Sequence, residues 1–154
     1  MKKVFHNEFK DNRQKRKIRI IVHYTASSTA ESALSWLNKR NKGNGTVGYN
    51  CIIDKDAVHF LCSINSWFHN TGLGGRYDKD TYSIAFTGNG IKDITDEMIE
   101  EAKKLIRSIS VIYDITEIRS HRCINIKKPD FSREEWKILK NKITGEYDGN
   151  RKNI

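Results

Sequence analysis

The stretch Ile18-Arg19-Ile20-Ile21-Val22-His23-Tyr24 constrains this chain more than any other. Its β-branched apolar residues run almost without a break, the mark of a strand buried inside a sheet. Such a strand needs other elements packed over it, and the rest of the sequence supplies them. Residues 28–41 predict a helix, with Ser28 and Glu31 in capping-box spacing and Ala33, Trp36, Leu37 and Arg40 on one face. Gly43 and Gly45 end it. Residues 47–54 and 57–62 predict two short strands in a hairpin that turns at Lys55 and Asp56. A Gly-rich loop over 67–79 leads to another strand over 81–87.

The longest predicted helix covers 95–113, with Thr95 as N-cap and Asp96 and Glu97 in the first turn, where the helix dipole favours anions. Residues 117–120 predict one more strand. Ser132 and Glu135 form a second capping box, which opens a helix from 133 to about 143. The order β-α-β-β-β-α-β-α describes an α/β chain of the α+β type. Its core is a central mixed sheet of about five strands flanked by about three helices.

At 154 residues the chain is one domain with enough core to fold unaided. Residues 1–17 are polar and basic and read as a loosely held arm, 18–146 as the domain, and 147–154 as a polar tail. The three cysteines, Cys51, Cys62 and Cys123, lack zinc-ribbon spacing and read as buried free thiols. No apolar run approaches the roughly 18 residues of a membrane span. The basic N-terminus lacks the apolar stretch of a signal peptide, so the chain is expected to begin in a cytoplasm. Lys and Arg number 28 against 19 Asp and Glu, a net charge of +9 that favours an anionic partner. No helix-turn-helix, zinc-finger or RNP pattern accompanies it, so specific nucleic-acid binding is not expected.

The histidines carry the chemistry. His23 ends the first buried strand, and His121 follows the last short strand, with Asp130 downstream. Two imidazoles and a carboxylate can hold zinc and leave a fourth position for water. The three lie far apart in sequence, and spacing alone does not separate a metal site from hydrogen-bonded structural histidines. Cys123 is a competing ligand by proximity to His121. His59 alternates with Val58 and Phe60 and is expected to face solvent; Trp36 and Trp136 sit at helical core spacing and are expected to pack inside.

Several motifs narrow the reading. Ile20-Ile21-Val22-His23-Tyr24-Thr25-Ala26, Val47-Gly48-Tyr49-Asn50, Ser83-Ile84-Ala85-Phe86-Thr87-Gly88-Asn89, Ser120-His121-Arg122 and Lys128-Pro129-Asp130 occur in that order. Together they resemble the zinc-dependent N-acetylmuramoyl-L-alanine amidases, the family of phage lysins, bacterial recycling amidases and peptidoglycan recognition proteins. The resemblance runs from residue 18 to about 136. It implies one zinc ion per chain, held by His23, His121 and Asp130. It implies that Tyr49 lies near the reacting carbonyl and that Lys128, or Lys127 beside it, stabilises the oxyanion. His69 and Trp67 would line the substrate groove. Many members have Pro after the third ligand, whereas here Pro129 precedes it and Phe131 follows.

The function so implied is hydrolysis of the amide between N-acetylmuramic acid and L-alanine in peptidoglycan. The expected setting is a monomeric phage endolysin without a separate wall-binding domain, held in the host cytoplasm before lysis. A cytoplasmic recycling amidase and a non-catalytic peptidoglycan-binding module are the alternatives. No carboxylate stands out as proton donor to the leaving amine; Tyr49 or His69 acting through water are the candidates.

Overall fold

The computed structural model describes residues 1–6, 17–40, 48–63, 73 and 75–145. Six strands form one mixed sheet: β1 (Lys2–Phe5), β2 (Arg19–Tyr24), β3 (Cys51–Ile53), β4 (Ala57–Phe60), β5 (Thr81–Phe86) and β6 (Glu117–Ser120). Their spatial order is β1-β4-β3-β5-β2-β6. Among the described strands only the β3–β4 hairpin is antiparallel, and β2 lies between β5 and β6, parallel to both. The β-branched run therefore sits inside the sheet, as its composition demands: Ile20, Ile21 and Val22 are almost wholly buried.

The helices are α1 (Ala30–Arg40), α2 (Gly75–Lys79), α3 (Asp96–Ile112), α4 (His121–Ile124) and α5 (Arg133–Thr144), with a 3-10 turn at Ile91–Asp93. Helices α3 and α5 cover one face of the sheet. Met98, Ala102, Ile106, Ile109, Trp136, Leu139 and Ile143 pack there on Ile20, Val22, Ile84 and Phe86. Helix α1 covers the other face, where Ala30, Ala33 and Leu37 meet Ile52 and Ala85. The caps foreseen for the two long helices are present: Thr95 accepts from Met98 N at 3.3 Å, and Ser132 and Glu135 form a reciprocal box.

Several expectations need correction. The expected mixed sheet with helices packed on it is present, with six strands and five helices among the described residues; what changes is Lys2–Phe5, assigned to a loose arm, which pairs in parallel with β4 as the sixth strand. Lys17, also placed in that arm, is buried and donates Nζ to the Lys79 carbonyl at 3.0 Å. Helix α1 starts at Ala30 rather than at a Ser28–Glu31 box. Asp54, from the β3–β4 turn, accepts from Ala30 N at 2.8 Å, and Thr29 accepts from Ser32 N. Trp36 is 54% exposed and not core, since the apolar stripe of α1 is only as wide as Ala33 and Leu37, and Arg40 lies over its ring. His59 is buried rather than solvent-facing, because β1 adds a strand outside β4 and His6, the residue after β1, stacks on His59. Cys51 is buried as expected, but Cys62 is half-buried and Cys123 exposed; all three are free thiols.

Candidate metal centre

The register of β2 and β6 builds the centre. Val22 stands opposite Ser120, so His23, the next residue of β2, lies beside His121, the first residue of α4. Both histidines thus occur at the C-terminal ends of adjacent parallel strands. Their ring centroids are 4.5 Å apart, with the rings nearly edge to face.

Asp130 arrives from the loop after α4. Tyr24 latches that loop: its hydroxyl donates to the Pro129 carbonyl, and its backbone N–H donates to Asp130 Oδ1 at 3.3 Å. Phe131, almost wholly buried, packs edge-on against the Tyr24 ring at 5.3 Å. The reversed order of Pro129 and Phe131 around the aspartate therefore still serves a purpose, as both residues are held by Tyr24. Nothing in the sequence paired Tyr24 with this loop; its position beside His23 was the only signal.

The result is a compact cluster. Asp130 Oδ1 lies 3.5 Å from His23 Nδ1, and Asp130 Oδ2 lies 3.0 Å from His121 Nδ1. All three side chains are buried, and one donor atom from each falls within 4.8 Å of the others. Burial alone would raise the Asp130 carboxyl, but hydrogen bonds from His121 and His23 outweigh it and hold the group well below the usual carboxylate range. Burial lowers His23, Asp130 partly opposes this, and the charges of His121 and Lys128 lower it further.

Neutral imidazole beside an ionised carboxylate is the protonation state a divalent cation requires of its ligands. Among the described residues, His23 Nε2 is in addition buried without a hydrogen-bond partner. An orphaned buried nitrogen is costly, so the cluster is poorly satisfied by protein atoms alone. The donor set fits zinc.

Tyr49 and Lys128 flank the cluster. The Tyr49 ring lies 5.1 Å from the His23 ring, and burial pushes its phenol up, so it stays protonated. Lys128 is half-buried, its backbone N–H tied to the Asn125 carbonyl, and its charge reaches His23. Lys127 is exposed. Cys123 accepts a hydrogen bond from Ser120 Oγ at 3.1 Å and is not part of the cluster. Trp67 and His69 lie outside the described residues.

A family model for N-acetylmuramoyl-L-alanine amidase matches residues 14–135. The chain belongs to the N-acetylmuramoyl-L-alanine amidase family. The amidase fold is seen again in solved structures. N-acetylmuramoyl-L-alanine amidase LysC from Clostridium intestinale URNW superposes with a TM-score of 0.70 at 20% identity, over 92% of this chain and 98% of that one. The Ph2119 endolysin from Thermus scotoductus MAT2119 bacteriophage Ph2119 gives 0.67 at 12% identity, over 92% and 99%. A complex of tracheal cytotoxin with the ectodomains of peptidoglycan recognition proteins LCa and LCx gives 0.70 at 17% identity, over 91% and 95%. At these identities the likeness concerns the fold. No curated protein matches the sequence. The mixed sheet and helices expected from the resemblance are those of the amidase fold.

Proposed function

We propose that this amidase-family chain is a zinc-dependent hydrolase of the amide joining N-acetylmuramic acid to L-alanine, and that it serves as a phage endolysin. The observation that carries the reading is the buried convergence of His23, His121 and Asp130. A zinc ion bound there would supply Lewis acidity and a water acidified toward neutral pH. The protein's own contribution is positional. Asp130 stays ionised and is held by both histidines and by Tyr24 N–H. Tyr49, kept neutral by burial, holds a proton beside His23 and is the donor best placed to hydrogen-bond the scissile carbonyl. Lys128 carries a fixed positive charge near the cluster and would stabilise the developing oxyanion, a role Lys127 is less well placed to fill. Trp67 and His69 would line the groove for glycan and peptide.

The substrate is a wall polymer bearing stem-peptide carboxylates, to which a chain of net charge +9 is drawn electrostatically. The enzyme would act as a monomer, held in the host cytoplasm until lysis. Retention of a competent carboxylate at Asp130 favours turnover over a purely binding role. The test is mass spectrometry of purified cell wall digested with wild type and with His121→Ala. New L-alanine amino termini without new reducing sugar ends are expected from the wild type alone, and new reducing ends would overturn the reading. Whole walls compared with soluble muropeptides separate the lysin from a recycling amidase, since hydrolysis of the soluble fragments alone would fit only the latter.

A further inference from the structure

A second concave surface lies on the face of the sheet away from Tyr49. It is a groove of about 1170 Å³ between α3, α5 and β6. We propose that this groove binds an extended acidic peptide with apolar side chains, added as a strand along the outer edge of β6.

Three features support that occupant. The first is the edge itself. β6 ends the sheet and pairs with β2 alone among the described residues. Residues 115–119 all line the groove, although alternate side chains of a strand point to opposite faces. A surface that touches every consecutive residue runs along the strand's edge, where backbone N–H and C=O groups remain open to pairing.

The second feature is charge. Lys103, Arg107, Arg119, Lys140 and Lys142 line the groove with one carboxylate, Glu117; Lys103 is paired with Glu100 at 2.6 Å and Lys142 with Asp96 at 3.4 Å, which leaves Arg107 and Lys140 to carry the attraction. Glu117 is already held between Arg19 at 2.8 Å and Arg119 at 2.7 Å. Arg107 and Lys140 have no ion-pair partner among the described residues. The third feature is apolar lining: Ile115 and Ile118 are half-buried above the core residues Ile106, Trp136 and Ile143, and a strand with alternating apolar residues would cover them.

Other occupants match less of this. A phosphodiester strand would satisfy the cations but not the apolar lining or the strand edge. A second copy would bring its own +9 charge to a basic groove. The groove reaches Cys123 of α4, but none of His23, Tyr49, His121 and Asp130 lines it. This surface is independent of the amidase reading.

The test is fluorescence anisotropy on the full chain with a labelled peptide of about eight residues alternating Glu and Val, the length a short edge strand can pair. Saturable binding that weakens as salt rises is expected. Arg107→Glu with Lys140→Glu should weaken it about tenfold or more while leaving bound zinc unchanged. The Gln pair at the same positions should weaken it less, and unchanged thermal unfolding of both variants excludes misfolding. A backbone N-methylated peptide should bind at least about tenfold more weakly, because it cannot pair with the edge. No binding of the Glu–Val peptide would overturn the proposal. So would equal binding of the N-methylated peptide, or binding of oligothymidylate or inorganic polyphosphate at the groove in its place. Self-association of the wild type that the Glu pair abolishes would also overturn it.

Discussion

Asp130 bridges two histidines from different elements, with His121 Nδ1 at 3.0 Å from one carboxylate oxygen and His23 Nδ1 at 3.5 Å from the other. Asp130→Asn keeps the shape and removes the charge. Bound zinc, measured by elemental mass spectrometry, should fall from about one per chain to well below it, and wall hydrolysis should drop by more than about a hundredfold, the upper range for residues that only support a ligand. Full zinc content in the variant would show that the carboxylate is not a ligand.

Chelation should act on stability as well as on activity. A metal that binds only the folded chain stabilises it by about 2.7 kcal/mol when present at a hundred times its dissociation constant. The melting temperature should fall on dialysis against a chelator and recover with zinc, together with activity. Activity that survives chelation would exclude metal dependence.

Tyr49 sits 5.1 Å from His23, ring to ring, with its phenol held protonated by burial. Tyr49→Phe preserves that packing. Zinc content and melting temperature should hold, while turnover falls by about a hundredfold, at the low end for a positioned proton donor. Wild-type turnover in the variant would reduce Tyr49 to a packing residue.

Lys17 makes stability depend on pH. Burial lowers its amine from 10.5 to about 8, with Cys62 and Asp80 partly opposing. Between those values the unfolded chain binds more protons than the folded one, so stability rises with pH across that window. Below about 8 both states carry the charge and the full cost of burying it applies. Urea unfolding of wild type and Lys17→Met from pH 7 to 10.5 should show the Lys17 part of that rise missing in the variant. Parallel curves would mean the amine is better solvated than its burial indicates.

Gly88, which follows β5, adopts a φ of +111°, and a Cβ there would fall 2.4 Å from Asp93 Cβ. Gly88→Ala should therefore cost about 1–3 kcal/mol in urea unfolding. A neutral result would mean that the turn around Asn89 and Asp93 rearranges freely.

Much of this protein was already fixed by local sequence. The β-branched run around Val22 could only be a buried strand, and the residues around Thr95 and Ser132 carry caps whose partners lie within one helical turn. The identities of His23, His121 and Asp130 could be named because their flanking motifs resemble a family, although the chain offered no spacing that joined them. Other features depended on contacts between distant segments. Trp36 is exposed because α1 meets the sheet through the small stripe of Ala33 and Leu37, and His59 is buried because β1 returns to pair outside β4. The metal centre is a matter of register, since the pairing of Val22 with Ser120 brings the histidines together, and Tyr24 then fixes the carboxylate between them. Periodicity and capping act within a few residues and are legible in the chain itself. Register, burial of charge and the shape of a cluster arise only when remote segments meet, and the tertiary structure decided them.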